Sequence, residues 1–185
     1  GLQHQDGHSQ LVATTIPNCR AYDPCYNYEL AVIIQDGLRR MCTEQENVFY
    51  YLTVMNENYE QPAMPEGAER NIIKGMYLFR SGAKGRAPRV QLLGSGTIFR
   101  EVIAAADLLK ADWGVEADLW SCPSFTELAR DVARRVGLAG ALRLLHVAHH
   151  PSAIRPFRAK SPCGRFWMNT MMKTRTAILA STAPD

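Results

Sequence analysis

Short apolar runs alternate with polar breaks along this chain, and the spacing inside each run predicts its element. Leu11 to Ile16 alternates enough to predict a short strand, ended by Pro17-Asn18. Residues 20–26, Arg-Ala-Tyr-Asp-Pro-Cys-Tyr, read as a turn in which Asp23-Pro24 sets up a helix start. Tyr28, Leu30, Ala31, Ile33, Ile34 and Leu38 recur at helical spacing to about Met41. Asn47 to Met55 is a nearly continuous β-branched and aromatic run, the pattern of a strand buried on both faces in a parallel sheet. Asn56-Glu57-Asn58-Tyr59 follows its carboxyl end, where open α/β sheets carry functional loops. Plain loop and capping roles are the simpler account of those four residues.

Pro62, Pro65 and Gly67 interrupt regular structure and place a domain linker there. Ile72 to Arg80 reads as a helix end running into a strand, and Ser81-Gly82-Ala83-Lys84-Gly85 as a flexible turn. A second unit opens with an apolar strand from Val90 that enters the turn Gly94-Ser95-Gly96. A helix from Ile98 to Lys110 follows, with Ile98, Val102, Ala105 and Leu109 on one face. Val115 to Trp120 is the next strand, and Pro123-Ser124-Phe125 starts a further helix. Helix then strand, and again strand, helix, strand, make an α/β protein. A Gly-Ser-Gly turn at a helix N-terminus can bind phosphate. This one lacks the third glycine of a dinucleotide fingerprint and the Gly-Lys-Ser of a P-loop, so a tight βα turn is the default.

At 185 residues and 46% hydrophobic content, the chain has room for one large domain or two small ones with a buried core. Its net charge of +3 hides a split: residues 1–131 carry 12 Lys/Arg against 17 Asp/Glu, and residues 132–185 carry 9 against 1. Val132 to Val147 reads as a basic amphipathic helix, and the rest of that tail has little periodicity. The five cysteines form no CxxC and no pair at zinc-ligand spacing, which implies reduced thiols in a cytosolic protein. No signal peptide is visible, and no apolar run of about 18 residues that could span a bilayer.

The candidate chemistry sits in the opening nine residues, Gly1-Leu2-Gln3-His4-Gln5-Asp6-Gly7-His8-Ser9. His4 and His8 are the only histidines before residue 132, and Asp6 lies between them. Imidazoles beside a carboxylate suit general acid and base work or recognition of a small anionic substrate. The plainer reading is a pair of exposed loop histidines, or a weak metal pair if the segment were helical. Gly7 and the absence of an apolar stripe argue against a helix. A chain that begins with Gly inside such a loop is expected to be a piece of something longer.

The strings GLQHQDGHS, TIPNCRAYDPCYNYELAVIIQDGLRRM, ENVFYYLTVMNENYEQPAMPEGAE, KGMYLFR, VQLLGSGTIFREVIAAADLL and SFTELARD together resemble the bacterial homodimeric pyruvate dehydrogenase family. These are the decarboxylating first components of the pyruvate dehydrogenase complex, among the transketolase-like, thiamine-diphosphate-dependent enzymes. The resemblance runs unbroken from Gly1 to Asp131. It implies that residues 1–64 end a pyrimidine-binding domain and that residues 65–131 begin a transketolase-like C-terminal domain, a mixed sheet with helices. Residues 132–185 fall outside it as an atypical, irregular basic tail.

The resemblance further implies an active site between the subunits of a homodimer. His4 matches a family histidine that assists proton transfer or binds the pyruvate carboxylate, with His8 and Asp6 beside it as substrate-binding residues. The implied cofactors are thiamine diphosphate and magnesium, and the implied partners are pyruvate and the dihydrolipoamide acetyltransferase component, whose lipoyl group is reductively acetylated. Neither nucleic acid nor membrane is implied, and the location is cytoplasmic. The family's Gly-Asp-Gly motif with its downstream Asn, and the glutamate that activates the aminopyrimidine, occur nowhere here. No cofactor-binding or metal-binding residue is therefore assigned, and the isolated chain is expected to be inactive. A transketolase-type fragment is the alternative within the class, although His8 directly follows Gly7 where that family spaces its histidine three residues on. A non-catalytic remnant with a basic interaction tail is the alternative outside it. The abrupt change after Asp131 is best read as a frameshift in a GC-rich gene, which would make His146, His149, His150 and Cys163 accidental neighbours.

Overall fold

Two parallel strand pairs, each bridged by a helix, carry the architecture in the computed structural model, which describes residues 8–134 and 180–181. In the first, β1 (Cys19–Tyr22) pairs with β2 (Phe49–Leu52), Cys19 opposite Phe49 and Tyr22 opposite Leu52. The bridge is α2 (Asn27–Leu38), extended by a π-helical turn, Arg39–Thr43. In the second, β4 (Arg89–Gly94) pairs with β5 (Glu116–Ser121) across α4 (Phe99–Trp113). β3 (Tyr77–Arg80) lies antiparallel on the other edge of β5, and β6 (Ala180–Ser181) antiparallel to β4, giving the order β3-β5-β4-β6. Short helices α1 (Ser9–Thr14) and α3 (Glu69–Ile73) precede each unit, and residues 125–134 form a helix, α5.

Local chemistry sets the helix ends. Glu29, in the first turn of α2, accepts the N–H groups of Tyr26 (3.0 Å) and Cys25 (2.5 Å), donors that the helix start leaves orphaned. α4 stops at Gly114, whose left-handed φ of 62° lets Gly114 and Val115 return their N–H groups to the carbonyls of Lys110 and Leu109. α5 begins where the Ser124 hydroxyl accepts the Glu127 N–H at 3.1 Å. Gly75, with φ of 94°, lets the turn into β3 press against that helix start, because a Cβ there would strike the Ser124 carbonyl.

The core does not divide at the Pro62–Gly67 segment. Cys25 and Tyr26 pack into one cluster with Leu92, Phe99, Val102, Ala106, Ala117 and Leu119. Tyr22 and Ile33 pack into another with Ala68, Ile72 and Tyr77. Phe79 links them, stacked on Tyr26 at 5.6 Å and edge-on to Phe99 at 5.2 Å. α2 is shared between the two, since its Tyr28 packs against both clusters and its Ile33 lies in the second.

Four local expectations are corrected. Leu11 to Ile16 is largely helix α1 rather than a strand, with Leu11 and Val12 exposed and only Ala13 buried in that helix. Its apolar positions fit either period, and the Thr14 and Thr15 hydroxyls donating to the Leu11 and Val12 carbonyls close the chain locally. The strand lies instead at Cys19–Tyr22, overlapping the first half of the segment 20–26 read as a turn, because its backbone finds a partner in β2. β2 itself is only half-buried, with Phe49 at 44% and the following Val54 at 66% exposed, since it has one neighbouring strand among the described residues. The predicted α2, β3, β4, α4 and β5 stand where their patterns place them. The face of α4 is the fourth correction: Phe99, Val102 and Ala106 are buried, whereas Ile98 (64% exposed) and Ala105 of the predicted stripe face solvent. The predicted helix from Val132 lies outside the described residues beyond residue 134.

Candidate functional site

The carboxyl ends of β1 and β2 gather the polar groups that the rest of the fold leaves for other work. The Tyr22 carbonyl, last in β1, accepts the Thr53 N–H at 3.1 Å and the Gln10 side-chain amide at 3.1 Å. The Gln10 bond ties α1 to this strand end. His8, exposed at the N-terminal end of α1, stands two residues from that tie, and its carbonyl accepts the Val12 N–H at 2.9 Å. His4 and Asp6 lie outside the described residues.

Asp23 follows Tyr22 and faces the second unit. Its Oδ1 accepts the Thr53 hydroxyl at 2.5 Å, and its Oδ2 accepts the Ser95 hydroxyl at 3.1 Å. Its carbonyl accepts the Gly96 N–H at 2.9 Å, and its own N–H donates to the Pro123 carbonyl at 2.6 Å. Gly96 has φ of 54°, and a Cβ there would fall on the Asp23 carboxylate. The Gly-Ser-Gly turn at the start of α4 therefore does hold an anion, favourably placed at a helix N-terminus, but that anion belongs to the chain. The turn has no room for a phosphate in this arrangement.

Behind this ring lies a second carboxylate. Glu29 is fully buried and accepts hydrogen bonds from Cys25 N–H, Tyr26 N–H, the Tyr77 hydroxyl (2.7 Å) and the Ser121 hydroxyl (2.6 Å). The Tyr28 and Tyr77 hydroxyls meet at 2.5 Å. Burial, and then the Glu29 charge, push the Tyr77 phenol far above its ordinary range. Burial pushes Tyr26 and Tyr28 up as well, and burial with the Glu29 charge takes the Cys25 thiol up to about 12. All four stay protonated near neutrality, so this network is a scaffold of fixed donors rather than an acid–base pair.

The polar loop after β2 is also held. Glu57 pairs with Arg100 of α4 at 3.3 Å, the Arg100 guanidinium lies 4.4 Å from the Tyr59 ring centroid, and the Tyr59 hydroxyl donates to the Cys25 carbonyl. Among the described residues no group of three His, Cys, Asp or Glu side chains is placed to hold a metal ion, and no helix is long and apolar enough to cross a membrane. His146, His149, His150 and Cys163 lie outside the described residues.

Pattern reading missed Asp23, Thr53 and Ser95 as one constellation. Thr53 and Ser95 lie 30 and 72 residues from Asp23, and no local signal joins them. The available hint was a Gly-Ser-Gly turn without the lysine that a phosphate loop would carry.

Residues 1–62 match the family model of the pyruvate dehydrogenase E1 component middle domain, and residues 75–180 match that of the transketolase-like C-terminal domain. The chain is 73% identical over 132 residues to the pyruvate dehydrogenase E1 component of Cupriavidus necator and 67% identical over 131 residues to that of Pseudomonas aeruginosa. It is 60% identical over 134 residues to that of Escherichia coli K12. Each alignment takes in 71% of this chain and 15% of the relative, so the chain spans about a seventh of the length of these relatives.

Proposed function

The chain belongs to the pyruvate dehydrogenase E1 component family, and from that membership we infer that it supplies the join between the cofactor-pyrimidine and C-terminal domains of an enzyme that decarboxylates pyruvate. That enzyme passes the acetyl group reductively to a lipoyl group on the acetyltransferase component. The observation that carries this reading is the identity of 73% over 132 residues, together with the two domain matches at residues 1–62 and 75–180. Residues 1–64 serve as the end of the first domain and residues 65–131 as the start of the second. The working form is a cytoplasmic homodimer with its sites between subunits.

In this reading His4 assists proton transfer at the reacting centre or binds the pyruvate carboxylate, with His8 and Asp6 completing the anion-recognising edge. Histidine suits either task, because it gains and loses a proton near neutrality. Gln10 in α1 donates to the Tyr22 carbonyl, which sets His8, at the start of α1, near the carboxyl end of β1.

Thiamine diphosphate is the cofactor the family implies, and magnesium its partner ion. The described residues do not fit that pair: the one helix-terminal glycine turn is filled by Asp23, and no set of metal ligands is assembled among them. The diphosphate and metal ligands belong to sequence outside this chain, and the chain alone turns over no pyruvate.

Complementation tests both statements. The 185-residue chain, assayed alone, is expected to release no carbon dioxide from pyruvate. Supplied with the N-terminal portion of a close relative, thiamine diphosphate and magnesium, it is expected to restore release, and His4→Ala in that assembly to lower the rate with cofactor binding retained. Turnover by the chain alone would overturn the first statement. A soluble reassembled pair without turnover would overturn the second.

A further inference from the structure

We propose that the cleft between α2, α3 and α5 is a binding site for a small molecule that carries a phosphate dianion. The cleft has a volume of about 670 Å³ and is lined by Asp36 of α2, by Arg70, Ile73 and Lys74 at the end of α3, and by Asp131 and Arg134 of α5. That volume falls in the range of about 300–1,000 Å³ usual for small-molecule sites, so there is room for more than a bare ion. Its charges do not cancel internally. Asp36 is already held, with Oδ1 accepting from Arg39 at 2.6 Å and Oδ2 accepting the Tyr50 hydroxyl at 3.3 Å. Asp131 stands 3.8 Å from Lys74 and balances it. Arg70 and Arg134 remain, and among the described residues neither meets a carboxylate. Apart from Arg86, every other arginine among the described residues holds an acidic side chain. Two of the three exceptions therefore line one cleft.

Guanidinium groups from two helices supply forked N–H donors that match the oxygens of a phosphate, and their summed charge matches a dianion. The walls that carry them are fixed by the core. Ile72 and Ile73 of α3 pack with Ile33 of α2, and the Tyr22 hydroxyl donates to the Ile73 carbonyl at 2.8 Å. Gly75 brings the end of α3 against α5, since a Cβ there would strike the Ser124 carbonyl and come within 2.9 Å of the Leu128 nitrogen. Val132, two residues before Arg134, packs against Met76, Leu93, Cys122 and Leu128 and so docks the last turn of α5. Walls set in advance lower the ordering cost of binding. Arg134 lies past Asp131, where the family resemblance ends, so the complete site belongs to this chain and does not depend on the reaction proposed above.

The test uses the 185-residue chain and titrates inorganic phosphate and phenyl phosphate by isothermal calorimetry at neutral pH and low ionic strength. Both are expected to bind saturably at one site, with phenyl phosphate the tighter because Ile73 offers its ring an apolar contact. Arg70→Gln and Arg134→Gln are each expected to weaken phenyl phosphate about tenfold or more, the scale of a lost charge-assisted hydrogen bond. Arg86→Gln removes an unpaired charge that does not line the cleft, and is expected to leave the affinity unchanged. If Arg70→Gln fails to fold by near-ultraviolet circular dichroism, Arg134→Gln against Arg86→Gln decides. Absence of saturable binding by either phosphate would overturn the proposal, as would equal weakening in all three variants, which would reduce the effect to net charge. Succinate binding more tightly than phenyl phosphate would also overturn it, by assigning the cleft to dicarboxylates.

Discussion

At Glu29, a carboxylate removed from solvent is met by two backbone N–H groups and two hydroxyls, drawn from the start of α2, from β3 and from β5. A buried acceptor of this kind is worth more in the breaking than in the making, because each donor left behind carries its own desolvation cost. Glu29→Ala is expected to lower stability by about 3 kcal/mol or more, read from urea unfolding, and Glu29→Gln by less, since one acceptor oxygen remains. A loss within experimental error for the alanine variant would contradict this account. The same burial makes the molecule sensitive to alkali. The Cys25 thiol rises from 9.0 to about 12, and the Tyr22, Tyr26, Tyr28 and Tyr77 phenols rise from 10.0. Below about pH 8 these groups are protonated in both states and their contribution is flat. Above it the unfolded chain releases protons that the native chain keeps, so stability falls as pH rises toward the folded values. The urea midpoint should be lower at about pH 10.5 than at about pH 8. A midpoint unchanged across that range would show that these groups are not held as described.

Among the elements, legibility followed how locally each one is satisfied. α4 closes its hydrogen bonds within itself and ends at a glycine that adopts the conformation glycine permits, so its extent was legible. Its buried face, Phe99, Val102 and Ala106, was set by packing and differs from the stripe read from the sequence. The start of α5 was legible for a similar reason, because Ser124 caps it with its own hydroxyl. That hydroxyl also donates to the Ala21 carbonyl in β1 at 2.6 Å. Ser124→Ala should therefore cost about 1–2 kcal/mol, at the upper end of a helix-cap loss, measured as a shift in chemical or thermal unfolding. β1 was not legible. Its four residues, Cys-Arg-Ala-Tyr, are too few to establish a period, and Arg20 bonds to Glu127 (3.1 Å) in a helix more than a hundred residues away. α1 was misread because six residues with scattered apolar positions fit two periods equally, and its attachment through Gln10 is a tertiary contact. β2 was read correctly as a parallel strand and too generously as a buried one, because burial depends on how many strands are present to cover it.

For the whole molecule, the two matched domains share one interior. Tyr26 and Cys25 from the first sit among Phe99, Val102 and Leu119 of the second, and Asp23 and Glu29 each bond across the same boundary. Such sharing predicts one cooperative transition: the far-ultraviolet signal and the fluorescence of Trp113 and Trp120 should unfold with coincident midpoints. Two separated transitions would mean that the first unit's core stands without Tyr26 and Cys25 docked on α4. The sequence by itself determined the family, the α/β character, the glycine-turn entry to α4 and the histidine-bearing segment, because each is written in contiguous residues whose spacing or identity is informative without a partner. Only the tertiary structure decided that the glycine turn is filled by Asp23, that Glu29 is a buried hub, and that α2 belongs to two cores at once. Those facts depend on groups between 30 and 92 residues apart in the chain, and proximity of that kind is set by how the packed layers close rather than by any local pattern.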